Sequence, residues 1–246
     1  MRHAEQTTWR LIDIALVLVY SAIGVVILAL GWALLSPLLN LGDPQTLLES
    51  NPVLVSGIFG ILVYGVVLVA IYLQIVRGRH TSWRNIGFRA PPALPLALAP
   101  VIAVGQLTTV ALLNALVLAL TGQFENPQIE AISGAGGFSW PNFILMLLLA
   151  GVAAPIVEET LFRGVLYGWL RIRVPIVLAV VVSAALFAGV HFIPILLPAL
   201  FVVGIILAVV YEWSQSLWVP ILLHSIQNSV AVIVIFAALA MGVPLE

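Results

Sequence analysis

Three short stretches of this 246-residue sequence carry side chains able to do chemistry, and all three interrupt long apolar runs. The first is Ala154-Pro155-Ile156-Val157-Glu158-Glu159-Thr160-Leu161-Phe162-Arg163. The second is Phe187-Ala188-Gly189-Val190-His191, and the third His224-Ser225-Ile226-Gln227-Asn228. On a helix, Glu158 and Glu159 point about 100° apart and cannot face one point. Glu159 and Arg163 stand four residues apart, share a face and can pair. Glu158 is left without a partner nearby in sequence, and Pro155 opens the backbone just before it. Phe187 with His191, and His224 with Asn228, repeat the same four-residue spacing on one helix face.

One Glu, two His and an Asn from three helices are the set that water activation needs. Glu158 can take a proton from water and return it to a leaving amine. His191 and His224 can orient that water. With Glu158 they can also hold a divalent metal such as zinc, since neutral imidazoles plus a carboxylate make a zinc set; a metal-free glutamate mechanism uses the same residues. Asn228 offers an amide N–H to a developing oxyanion. The plainer alternative is a buried ion-pair network that fixes helix packing, with histidines that only pack. For Glu159 and Arg163 that structural role is the favoured one; for Glu158 chemistry is. The other two histidines, His3 and His80, lie outside the apolar runs.

The elements that must position these groups are membrane helices. The chain is 63% hydrophobic and 8% charged, against about 25% charged in a soluble domain. Mean hydropathy is +1.20. A soluble fold cannot cover that much apolar side chain, so soluble enzymes, disordered regulators and nucleic-acid binders are excluded. Cysteine and lysine are absent, which removes thiol nucleophiles, disulfides, Schiff-base lysines and Ser–Lys dyads. The only aspartates, Asp13 and Asp43, flank the first apolar segment, so an intramembrane aspartyl pair is excluded as well. Neither HExxH nor GxSxG occurs. Ser225 neighbours His224 but points about 100° away from it on a helix.

Seven stretches are long enough to span the bilayer: 11–39, 53–76, 93–120, 141–169, 174–192, 195–212 and 217–241. The expected fold is an all-α, polytopic transmembrane bundle of about seven helices, or eight. Arg2 and Arg10 precede the first segment, Arg77, Arg79, Arg84 and Arg89 follow the second, and Arg171 and Arg173 follow the fourth. The loops after the first and third segments carry Asp43, Glu49, Glu125 and Glu130 but no Arg. The positive-inside rule then puts the N-terminus and the Arg-bearing loops in the cytoplasm, and an odd number of spans puts the C-terminus outside. Loop 121–140, with Asn126-Pro127 and the run Ser133–Gly137, reads as an outer linker, with Trp140 as an interfacial anchor. No signal-peptide cleavage site follows the first segment, and no internal repeat of the transporter kind is visible.

The order EExxxR, FxxxH, HxxxN resembles the intramembrane endopeptidase family of type II CAAX prenyl proteases and bacteriocin self-immunity (Abi) proteins, often called CPBP. Phe162-Arg163-Gly164 and Leu217-Trp218-Val219-Pro220-Ile221 strengthen the resemblance, which covers about 140–235. It divides the chain into 1–139, without a specific motif, and a catalytic part, 140–246. It implies Glu158, His191, His224 and Asn228 as catalytic positions, with Glu159, Arg163 and Phe187 supporting. The family is usually described as metalloendopeptidases. The substrate it implies is a membrane-associated peptide, prenylated or bacteriocin-like; the all-Arg, Ala/Val/Leu-rich composition points to a prokaryotic plasma membrane. Two other classes stay open: a proton-coupled transporter, because buried Glu and His also build proton relays, and a noncatalytic immunity or scaffold protein. Helical rise puts Glu158, His191 and His224 roughly 20, 25 and 10 Å from the cytoplasmic ends of their helices. Convergence therefore requires helices offset by about 10 Å, which Pro155, Pro194, Pro198 and Pro220 make feasible.

Overall fold

A computed structural model of the chain describes residues 8–38, 52–122, 126–133 and 137–243, and among these there are helices and no strands. In chain order they are α1 (Leu11–Leu38), α2 (Pro52–Ile71, finished by a π-turn, Tyr72–Arg77), α3 (Trp83–Ile86), α4 (Ala93–Thr121) and α5 (Pro127–Ser133). The long α6 (Trp140–Arg171) is followed by α7 (Ile176–Gly189), α8 (Leu197–Ser214) and α9 (Trp218–Ala240). The N-terminal Arg2 and His3, the loop acids Asp43, Glu49 and Glu125, and positions 134–136 of the glycine run lie outside the described residues. The expected 121–140 linker contains a short helix, α5.

Among the described residues six helices are long and apolar enough to cross a membrane: α1, α2, α4, α6, the run holding α8, and α9. The chain is an integral membrane protein built as a helical bundle. The fifth expected segment, 174–192, differs. Its helix α7 has only 14 residues, about 21 Å of rise against a core of about 30 Å. Pro194 is the cause. It holds Ile193 extended (φ −117°, ψ 92°), and the chain reverses through Phe192 at φ 54°. His191 therefore sits in the turn beyond α7 rather than on the helix.

The interior of α6 is not regular. Leu149–Ala153 and Thr160–Tyr167 are π-helical, and Ala154–Glu159 is a short α stretch between them. Pro155 lacks an N–H and its ring clashes with the carbonyl four residues back, so the turn before it widens. Accordingly the Ala154 N–H bonds the Leu149 carbonyl, five residues back.

The two ends of the bundle differ. At one end meet the start of α1, the end of α2, α3, and the α6–α7 and α8–α9 connections. Asp13 accepts from Arg79 (2.6 Å) and from Gln74 (2.7 Å), and Arg171 pairs with Glu212 at 2.9 Å. Trp9 Nε1–H donates to the Val165 carbonyl (3.0 Å), Tyr211 to that of Ile86 (3.0 Å), and the Leu217 N–H to that of Gly87 (2.9 Å). Gly87 is obligatory here: its φ is +133°, and a Cβ would lie 2.6 Å from the Tyr211 hydroxyl. Aromatic rings mark both ends, as they do at membrane interfaces. Trp83, Phe88 and Trp218 stack edge to face at the first end. Phe138, Trp140, Phe143 and Phe236 do so at the other. From Trp218 to Phe236 along α9 is about 27 Å of rise, close to a bilayer core.

Candidate active site

The short α stretch between the two π segments aims Glu158 and Glu159 in different directions. Glu159 turns into the bundle and is fully buried. Its Oε1 accepts from Arg163 (2.8 Å) and faces His224 Nδ1 at 3.0 Å. Arg163, also fully buried, donates from its other terminal nitrogen to the Gly204 carbonyl (3.1 Å), and its guanidinium lies 4.4 Å over the Phe187 ring. Gly204 is what lets α8 come so close: a Cβ there would lie 2.9 Å from the Ala184 backbone of α7. The Glu159–Arg163 pairing expected from spacing is present, and it extends to a third helix through His224.

Glu158 turns to a cavity of about 940 Å³ and keeps 19% of its side chain exposed. The Tyr64 hydroxyl donates to its Oε1 at 2.9 Å, and its Oε2 lies 3.8 Å from His224 Nε2. Phe187 links the two imidazoles, with ring centroids 5.0 Å from His191 and 5.7 Å from His224. The required offset of the helices is thus achieved: Glu158, His191, His224 and Asn228 all line the one cavity.

Hydrogen bonds fix both imidazoles. His191 Nδ1 lies 2.7 Å from the Phe187 carbonyl, which can only accept, so Nδ1 carries the proton. His224 Nδ1 faces the Glu159 carboxylate and carries its proton for the same reason. In the neutral ring, Nε2 of each is left as an acceptor. His224 Nε2 and Glu158 Oε2 are near enough to share one ion. Yet among the described residues no group of three or more His, Asp or Glu is arranged to hold a metal. The set Glu158, His191 and His224 does not close round one point as placed.

Asn228 is partly engaged. Its Nδ2 donates to the Ala150 carbonyl at 3.0 Å. That carbonyl has lost its ordinary partner, because the Ala154 N–H is taken by Leu149. The next N–H along would belong to Pro155, which has none. Asn228 therefore satisfies the acceptor that the widened turn orphans, and keeps one amide N–H for other use.

Two contributors escape sequence reasoning. Tyr64 sits in an apolar stretch without a motif, 94 residues from Glu158. Gln106, on α4, is buried and donates to Gln227, which lines the cavity. An amide inside an apolar run is the available signal for Gln106.

The part of the chain that holds these groups resembles known membrane proteins. Residues 140–230 match the family model of type II CAAX prenyl endopeptidase Rce1-like proteins. The membrane-embedded CAAX protease MroQ of Staphylococcus aureus is 36% identical over 100 residues, 38% of this chain and 39% of that protein. Bacillus subtilis YdiL, named as a candidate membrane peptidase, is 30% identical over 89 residues, 36% of each chain. An Escherichia coli protein of 24.3 kDa without an assigned function is 33% identical over 142 residues, 52% of this chain and 65% of that one. The matches span well under half the length of the first two relatives. No solved structure matches the chain. Over 140–230 the family resemblance read from the three motifs is borne out.

Proposed function

We propose that this chain is an intramembrane endopeptidase that hydrolyses a peptide bond of a membrane-associated substrate with water activated by Glu158. The observation that carries this reading is the contrast at the cavity base. Glu158 is reachable there, held between Tyr64 and His224, while Glu159 beside it is sealed in an ion pair.

With Oε1 occupied by the Tyr64 hydroxyl, Oε2 is the basic oxygen. It lies too far from His224 Nε2, at 3.8 Å, for a direct hydrogen bond. One water donating to both acceptors bridges them and turns its lone pairs to the cavity. As that oxygen attacks the scissile carbonyl carbon, its proton passes to Glu158. The carbonyl oxygen takes up negative charge, which the free amide N–H of Asn228 stabilises. The C–N bond then breaks, Glu158 gives its proton to the leaving amine, and the carboxylate is restored. His224 keeps its orientation through Glu159, which Arg163 neutralises. His191, tied to the Phe187 carbonyl, presents its acceptor nitrogen to a substrate N–H.

The test uses purified protein in lipid vesicles with a membrane-tethered reporter peptide, prenylated in one arm and unmodified in the other. Cleavage that disappears in Glu158→Gln supports the reading. Proton-coupled solute flux without cleavage would assign the site to a carrier instead. Full protective function by a Glu158→Ala, His191→Ala double variant would assign it to a noncatalytic immunity or scaffold protein.

A further inference from the structure

Two carboxamides meet beside the reacting groups and make one hydrogen bond where two are available. The buried face of α4 carries Ala99, Ala103 and then Gln106. The two alanines join Val203 and Leu207 of α8 and Leu223 of α9 in one buried cluster. Gln106 is thereby set against α9, and its Nε2–H donates to Gln227 Oε1. The return bond is missing. Facing carboxamides can exchange a pair of N–H···O bonds, yet Gln106 Oε1 is buried without a partner. Gln227 Nε2 is therefore not turned to Gln106. Gln227 is half-buried and lines the cavity. Its oxygen is tied to α4, and its two N–H groups are left for the cavity. A pair that served only to join α4 to α9 would exchange both bonds, because an unmet acceptor in the core is destabilising.

The neighbours of this donor say what it meets. His224, Gln227 and Asn228 share one face of α9, and all three line the cavity. Gln227 stands about 4.5 Å of helical rise beyond His224, against about 3.3 Å per residue in an extended chain. A peptide whose scissile carbonyl sits between Glu158 and Asn228 thus brings a carbonyl one or two residues away to Gln227. His191 Nε2 offers the complementary acceptor to a main-chain N–H. Val63, Leu149, Leu200 and Val203 on the walls have apolar side chains that form no hydrogen bond. Carbonyls within a membrane helix are already satisfied inside that helix, so the Gln227 amide serves only a stretch that is unwound there. Main-chain hydrogen bonds are the usual means of holding an extended peptide.

We propose that Gln227 binds a main-chain carbonyl of the substrate next to the scissile bond, and that Gln106 is the positioning residue that turns its amide to the cavity. The site thereby selects an extended stretch over a helical one, whatever its side chains. Cleavage of the bound peptide rests on the peptidase reading; the carbonyl contact does not.

The test uses Gln227→Met and Gln106→Met, apolar replacements of similar length, in lipid vesicles with the membrane-tethered reporter peptide. Gln227→Met is expected to raise KM about three- to tenfold at unchanged kcat, because a contact made equally to substrate and transition state acts on binding alone. Gln106→Met is expected to raise KM by about two- to threefold, with the unfolding midpoint unchanged or higher, because the unmet acceptor is gone. The double variant should match Gln227→Met, since Gln106 acts only through Gln227. A lower midpoint with unchanged KM is the pattern of a merely structural pair. That pattern, or KM effects that multiply in the double variant, overturns the proposal. Binding of the same peptide, carrying a fluorophore, is also measured in the Glu158→Gln background, where no hydrolysis is needed. Weaker binding on adding Gln227→Met there supports the carbonyl contact even if the wild type cleaves nothing, an outcome that counts against the peptidase reading alone. Cleavage by the wild type with binding indifferent to Gln227→Met counts against the carbonyl contact alone, and absence of both binding and cleavage overturns both.

Discussion

Two sides of one helix, α6, present the same residue type to opposite surroundings. On the cavity side Glu158 keeps 19% of its side chain exposed, with a neutral hydroxyl as its hydrogen-bond donor. On the packed side Glu159 has no exposure and shares Oε1 between Arg163 and His224. One peptide bond separates a carboxylate open to the cavity from one held in a buried ion pair. Taking Glu159 out of its pair would leave the Arg163 guanidinium in the core without a counter-charge. The difference between the two sides is thus a difference of partners, produced by a turn of about 100° and held by the π stretches around it.

The sharpest way to break the comparison is to neutralise each glutamate in turn. Glu158→Gln is expected to lower peptide hydrolysis by about 10²–10⁴-fold, with the thermal unfolding midpoint in detergent unchanged. Glu159→Gln is expected to act mainly on stability, with a smaller loss of hydrolysis through its hold on His224. It leaves Arg163 charged and unpaired in the core, which costs about 3–5 kcal/mol of stability. That loss is read as a lower unfolding midpoint and a smaller folded fraction. If Glu159→Gln unfolds normally but is catalytically dead, the division of labour between the two sides is wrong.

A smaller effect tests how the two sides are kept apart. Asn228→Ala removes the donor that satisfies the Ala150 carbonyl left over by Pro155. An unmet acceptor there costs about 1–3 kcal/mol. Activity is expected to fall further than stability alone requires, because the same turn aims Glu158. The Pro155→Ala, Asn228→Ala double variant restores an N–H at position 155 and should recover stability without recovering full activity. Recovery of neither would mean that the carbonyl is not what Asn228 serves.

Much of this is legible in the sequence because membranes make polar residues conspicuous. Glu158, Glu159, Arg163, His191, His224 and Asn228 stand out against apolar neighbours, and the four-residue spacing by itself joins Glu159 to Arg163. Six membrane-crossing helices are visible for the same reason. What stays hidden depends on breaks and on distance. The early end of α7 and the resulting place of His191 follow from Pro194 acting on residues before it, which a hydropathy run does not register. The π stretches of α6 change which carbonyls are left over, and so give Asn228 a second task that no spacing rule suggests. Tyr64 is ordinary in its own stretch of α2 and gains meaning only from packing against α6. Tyr64→Phe isolates that contribution. Loss of one hydrogen bond to a carboxylate is expected to reduce activity about tenfold and to leave stability unchanged, since a Phe ring fits the same space.

Chelation is expected to do least. A catalytic zinc is usually held by three protein ligands with an open position for water. On the cavity side only Glu158 Oε2 and His224 Nε2 stand close together, at 3.8 Å, and no third His, Asp or Glu of the described residues completes the group. A pair of donors without a third binds an ion weakly, and the proposed proton transfers need only Glu158 and the bridging water. Purified protein treated with EDTA or phenanthroline should therefore keep both its hydrolysis rate and its unfolding midpoint. The second readout matters because an ion bound to the folded state alone stabilises it by mass action, so stripping a resident metal lowers the midpoint even where the assay is slow. Loss of activity together with a lower midpoint, both restored by zinc, would mean that His191 closes on the pair in the working enzyme. Glu158 would then be a ligand rather than a free base, and the two sides of α6 would differ in what they bind instead of in whether they can take a proton.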